Sequence, residues 1–183
     1  LLRAAGIDSV ADPPGIDEDR VGAKDPVERA QILARAKLEA VLPRHPMALV
    51  IAADQVAHLN GCAFGKPAHP AGHLEMLRGL VGKEHELVTA VALGWGEVRR
   101  EFHEVTRILF RSDITEDELH RYVEQGEGAM CAGGYRVESL GPWFIERVEG
   151  DWFNVVGLPI PRLITELRTL GIRLPLAEAP GNG

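Results

Sequence analysis

Met47 to Pro67 reads MALVIAADQVAHLNGCAFGKP, and the course of this stretch constrains everything around it. Seven consecutive apolar residues, Met47 to Ala53, follow Pro46 and end abruptly at Asp54 and Gln55. Such a run, rich in β-branched and small side chains, predicts a strand covered on both faces, with Asp54 at its exit. A carboxylate buried there costs several kcal/mol if it stays charged and unpartnered, so a cation or a metal is expected beside it. Asn60-Gly61 predicts a tight type I′ turn that folds Gly65-Lys66 back towards Asp54. Lys66 is then the nearest partner, and acid and cation share one cleft mouth. The alternative is that Asp54 forms a turn or caps a helix, as aspartate often does.

The 183 residues suffice for one well-buried domain, or for two lobes sharing a cleft. With 45% hydrophobic and 26% charged residues the composition is that of an ordinary globular chain. No apolar run approaches the roughly 20 residues that span a bilayer, and the first residues resemble no secretory signal, so a cytoplasmic protein without a membrane partner is expected. A net charge of -7 argues against a nucleic-acid polymer as partner, which calls for a basic face. It leaves room for a small phosphorylated ligand, whose site needs only a few local cations or a metal. Cys62 and Cys131 form no C-x-x-C pair and predict two reduced thiols.

Outward from the central stretch, the N-terminal LLRAAG reads as a helix end capped by Gly6, followed by a strand-like Ile7 to Val10 and an irregular Asp12-Pro-Pro-Gly15 turn. Asp17, Glu18 and Asp19 come next. Three adjacent carboxylates form either a solvated turn or a site for a hard cation, which prefers oxygen ligands. Asp25-Pro26-Val27-Glu28 places an N-cap, a proline at N1 and an acid at N3, predicting a helix to about Leu42. Lys37 falls within its apolar stripe beside Leu33, Ala34, Ala40 and Val41. It either snorkels along the surface or points into a cleft as a phosphate-binding charge.

Pro70 to Leu80 predicts a second helix, and His85 to Leu93 and Val98 to Phe110 predict strands joined at Gly94-Trp-Gly96. Thr115 to Glu118 is a capping box. Gly126 to Gly157 is dense in glycine, as ligand-holding loops often are, with a strand-like Trp143 to Val148 inside it. Pro161 to Leu170 predicts a last amphipathic helix. His69 and His73 are expected to be exposed helix polarity, since no H-E-x-x-H accompanies them. The absence of G-x-S-x-G, Walker and G-x-G-x-x-G motifs removes most support for acyl transfer and dinucleotide chemistry.

Taken in order, Asp17-Glu18, Ala34-x-x-Lys37, Ala53-Asp54-Gln55-Val56, Gly65-Lys66-Pro67, Phe110-Arg111, Cys131-Ala132-Gly133 and Val156-Gly157-Leu158-Pro159 resemble the Maf family of nucleoside triphosphate pyrophosphatases. The match covers residues 1 to 174, leaving 175–183 as a flexible tail. The resemblance implies a single α/β domain of two lobes, with a long mixed twisted sheet and flanking helices around a central cleft, related to the inosine triphosphatase fold. It implies a homodimer that cleaves a nucleoside triphosphate to monophosphate and pyrophosphate with a divalent cation, Mg²⁺ or Mn²⁺. By the same resemblance Asp54 is the general base, Lys37 and Lys66 hold phosphate, and Glu18 is the metal-linked carboxylate. Asp54 is alternatively itself a metal ligand.

Gln55 and Glu138 stand where the branch acting on thymidine and uridine triphosphates has threonine and glutamine. With Cys131 they resemble the branch acting on 7-methylguanosine triphosphate, which is the expected substrate. A carboxylate accepts from both N1–H and the 2-amino group of guanine, and it attracts a cationic N7-methylated purine. Gly133-Gly134-Tyr135 and Asn154-Val155-Val156 look closer to the pyrimidine branch, which is the alternative. Trp143 is expected in the core, with base stacking as its other role. Family members open with a strand and a Ser-x-Ser-x-x-Arg loop absent from this sequence, so residues are expected to precede Leu1. A nucleotide-binding regulator without turnover, and a phosphatase of other phosphoesters, are the competing classes.

Overall fold

The computed structural model describes residues 1–18 and 22–173. Asp19 and the tail at 175–183 lie outside the described residues. Five strands form one sheet in the order β2-β1-β3-β4-β5: β1 (Val50–Leu59), β2 (Cys62–Phe64), β3 (Glu84–Trp95), β4 (Val98–Phe110) and β5 (Ile145–Glu149). Helices α1 (Pro26–Val41), α2 (Pro70–Leu80), α3 (Glu116–Glu124), α4 (Trp152–Val156) and α5 (Ile160–Thr169) flank it. The α/β architecture is as expected. The pairings among the described residues are all antiparallel, where a mixed sheet was anticipated, because β1–β2 and β3–β4 are hairpins and the α2 connection returns β3 against β1.

Asn60 and Gly61 have φ of 52° and 78°, the pair of positive values that a type I′ turn demands, and they close the β1–β2 hairpin. The strand itself differs from the expectation. It begins at Val50 and continues through Gln55 to Leu59, so Asp54 sits mid-strand opposite Ala90 and not at an exit. The charge does not end the strand because Asp54 takes its place in the pleat between Ala52 and Val56 and finds a counter-ion across the layer.

Strand periodicity sorts the side chains into two faces. Val50, Ala52 and Val56 of β1 meet Val88, Ala90 and Ala92 of β3 under Ala30, Ala34, Leu38 and Val41 of α1. Gly94 lets the helix come close: a Cβ there would lie 3.0 Å from Leu38 Cδ1 and 3.2 Å from Leu42. Asp25 caps α1 by accepting from Glu28 N–H at 2.8 Å, with Pro26 at the first helical position.

The opposite face carries two apolar clusters. Leu163 and Leu167 of α5, with the N-terminal segment, cover Val91, Leu93 and Phe102. Helices α2 and α3 with Tyr135, Val137 and Phe144 cover Ala57, Leu87, Ile108 and Phe110. Between them lies a polar belt. Buried Asn154 of α4 donates to Leu87 O, Glu104 O and Thr106 Oγ1 at 3.1, 3.4 and 3.0 Å.

Other expectations change in detail. Ile7 to Val10 runs without a strand partner among the described residues. Pro142 starts a 3₁₀ turn over Gly141–Phe144, so β5 begins at Ile145 and Trp143 is 75% exposed, not in the core. His73 is buried against Gly134 O, and His69 caps α2 by accepting from Gly72 N–H at 3.0 Å, so neither is mere surface polarity. No helix among the described residues is long and apolar enough to cross a membrane. Since Leu38 is 1% exposed at the α1–sheet contact, Leu38→Ala is expected to cost about 2–5 kcal/mol in equilibrium denaturation, and a loss under about 1 kcal/mol would contradict this packing.

Candidate active site

The site is built where α1 crosses β1. Asp54 faces the helix in the same row as Val50, Ala52 and Val56, and Lys37 projects from α1 one position before the buried Leu38. The Lys37 ammonium donates to Asp54 Oδ1 at 2.6 Å and lies 2.8 Å from Glu18 Oε1. One cation thus bridges two carboxylates that are 36 residues apart in sequence, as their numbers show. Arg29, two turns earlier on α1, reaches the Glu18 backbone carbonyl from Nη2 at 3.4 Å and adds its charge to the field at Asp54.

Burial pushes the Asp54 carboxyl above its ordinary value, opposed by the hydrogen bond and charge of Lys37. For Lys37, burial works against the charged form, yet the bonds to Asp54 and Glu18 outweigh it and hold the ammonium above the usual lysine range. The arrangement is a proton acceptor of increased strength locked to a permanent cation. Glu18 and Lys37 stand on the wall of an open cleft of 1430 Å³ that runs between the N-terminal segment, the start of β1 and α5.

Lys66 does not supply the Asp54 counter-ion. It is exposed beyond the end of β2, and its charge acts on the Cys131 thiol together with those of Glu138 and Arg136. Because Asp54 sits mid-strand and points at α1, the helix delivers the cation in place of the hairpin. Lys66 instead belongs to a second group. The Gly133 N–H donates to Gly65 O at 3.4 Å, tying the end of the hairpin to the segment that carries Cys131 and Glu138. Glu138 is exposed, with Arg136 Nε 3.8 Å away. Burial and Glu138 push the Cys131 thiol up, so it stays protonated and weakly nucleophilic.

Gln55 points away from Asp54, as neighbours in a strand must. Its amide nitrogen donates to Thr89 Oγ1 at 3.0 Å and to Asn154 O at 2.6 Å. Both N–H groups are engaged, which leaves the carbonyl oxygen as the group Gln55 offers a ligand. Sequence reading passed over Arg29, Thr89 and the belt role of Asn154. Their spacing carries no motif, and only the register of Thr89 opposite Gln55 reveals the link.

The donor set suits a hard cation. No group of three or more metal-ligating His, Cys, Asp or Glu side chains gathers among the described residues. Mg²⁺ needs only one or two carboxylates, the remainder coming from phosphate and water, and Glu18 and Asp54 converge on the position now shared with Lys37.

The family model described as Maf-like protein matches residues 1–170. The chain belongs to the Maf-like family. A dTTP/UTP pyrophosphatase of Pyrococcus furiosus is 37% identical over 167 residues, covering 91% of this chain and 87% of that protein. A nucleoside triphosphate pyrophosphatase of Corynebacterium aurimucosum is 34% identical over 179 residues, covering 95% and 89%. A dTTP/UTP pyrophosphatase of Symbiobacterium thermophilum is 37% identical over 171 residues, covering 93% and 88%.

Carboxyl-detected NMR titration checks the electrostatics without any substrate. Asp54 is expected to titrate above the ordinary aspartate value of 3.8, and higher still in Lys37→Met, which removes the opposing cation. A value at or below the ordinary one would contradict the burial argument.

Proposed function

We propose that this Maf-like chain is a nucleoside triphosphate pyrophosphatase, with Asp54, Lys37 and Glu18 as its reacting centre. The observation that carries the reading is the Lys37 ammonium held between the Asp54 and Glu18 carboxylates at the cleft wall. In this reading Asp54 accepts a proton from a water whose oxygen attacks the α-phosphorus. The α–β bridging P–O bond breaks and pyrophosphate leaves. Its raised pKa makes Asp54 the better base, while Lys37 offsets charge that develops on the phosphates. Glu18 would hold the divalent cation, Mg²⁺ or Mn²⁺, which supplies charge neutralisation and activation of water when bound; alternatively Asp54 is itself a metal ligand, and the bound cation in place of the free carboxylate activates the water. Lys66 is the second phosphate-binding lysine of this reading, reached from the hairpin side, and the functional unit is a homodimer.

For the base, the names borne by the relatives from Pyrococcus furiosus and Symbiobacterium thermophilum support a dTTP/UTP pyrophosphatase. Glu138 favours 7-methylguanosine triphosphate as the second reading, since it places an exposed carboxylate beside Cys131 and Lys66, where a cationic purine would gain from it. Gln55 serves either base through its free carbonyl oxygen.

Two measurements test the proposal. With Mg²⁺ or Mn²⁺ and a panel of triphosphates, the protein is expected to release pyrophosphate, and Asp54→Asn to lower the rate by about 10²–10⁴-fold. Release of orthophosphate, or binding without release, would favour the phosphatase or regulator instead. On the base, a kcat/KM higher for UTP and dTTP than for 7-methylguanosine triphosphate supports the first reading. The reverse order, abolished by Glu138→Gln, would establish the second.

A further inference from the structure

Residues 7–17 have no regular secondary structure, yet they deliver Glu18 to Lys37. Their middle is gripped by a cluster outside the site. His45 Nε2 lies 2.6 Å from Asp12 Oδ2, Arg44 Nη1 lies 3.2 Å from Asp12 Oδ1, and Arg44 Nη2 donates to Pro13 O at 2.9 Å. Arg44 and His45 sit where α1 passes through a 3₁₀ turn over Leu42–Arg44. The same helix thus holds the loop twice: at its C-terminal end through Asp12 and Pro13, and along its body through Arg29 and Lys37 to Glu18.

The link between the two grips is short, and two prolines restrict it. Pro13 and Pro14 fix φ at successive positions, and Gly15 turns the chain at φ 65°. With two of the five intervening positions fixed in φ, the place of Asp12 limits where Glu18 can stand. We infer that Asp12, clamped by Arg44 and His45, is a positioning residue that sets the Glu18 carboxylate against Lys37. Asp12 is only 26% exposed, so the shared carboxylate is partly shielded from solvent, unlike the open surface pairs elsewhere on α1. This inference rests on the pyrophosphatase reading for its kinetic consequence, though not for its structural one.

A double-mutant cycle tests it. Asp12→Asn is expected to lower kcat/KM by about 10-fold, the scale of a misplaced catalytic group. It is expected to raise the metal concentration needed for half-maximal rate, with Tm unchanged. In a Glu18→Gln background the same substitution should have no further effect, because the two act as one unit. Equal losses in both backgrounds would overturn the inference. Backbone ¹⁵N relaxation decides the structural part even if the wild type releases no pyrophosphate. In Asp12→Asn, and in Arg44→Gln as a second route to the same break, the order parameters of residues 8–18 should fall while those of α1 stay. Unchanged order parameters in both variants would also overturn it.

Discussion

A carboxylate placed in the middle of a central strand governs this molecule. Asp54 lies 8% exposed between alanine and valine neighbours, under a helix packed on apolar side chains. Water cannot solvate it fully, so the fold has to bring a cation. Lys37 is able to meet it because α1 approaches closely over Gly94 and because Leu38, the next residue, is anchored in the core. Glu18 then completes the set, since an ammonium with three donors readily serves two carboxylates. Isolated from each other Asp54 and Lys37 would be costly to bury; together with the half-exposed Glu18 they form a polar site at the edge of an otherwise apolar layer.

The strand that carries Asp54 also divides the chemistry. On its α1 face stands Asp54 with its partners Lys37 and Glu18. On the other, Gln55 is bound into a belt with Thr89, Asn154 and Thr106 that separates two apolar clusters. That belt ties α4 to the sheet through three hydrogen bonds from one buried amide. Lys66 and Glu138 approach from the hairpin end, held to each other's neighbourhood by the Gly65–Gly133 contact.

Buried aromatic and imidazole packing holds the glycine-rich segment against the sheet. Tyr135 donates or accepts at His85 Nε2 across 2.7 Å, and both rings meet Phe110 edge-on. Burial holds the His85 imidazole down to about 4, so it stays neutral at physiological pH and serves as a packing and hydrogen-bonding group. The glycines at 133 and 134 are accounted for by φ of 82° and 74° and by the rings of Tyr135 and His73, which would stand 3.0 and 2.9 Å from a Cβ there.

Helices α1, α2, α3 and α5, strands β3 and β4, the caps of α1 and α3, the type I′ hairpin and the family resemblance could be read from the sequence, because each rests on short-range backbone chemistry or on a series of local motifs. So could the set Glu18, Lys37 and Asp54 as residues of interest. Their pairing could not. A strand's length past its charged residue, the face on which Asp54 points, and the choice of Lys37 over Lys66 as its partner depend on which layers pack together. Long-range electrostatics and register decide these, and neither is encoded by spacing along the chain. The same holds for Trp143, left outside by a 3₁₀ turn, and for His73, drawn inside by Gly134. Local sequence specified the parts and their chemistry, and tertiary packing decided which charges had to neutralise one another, since only burial makes an unpaired charge expensive.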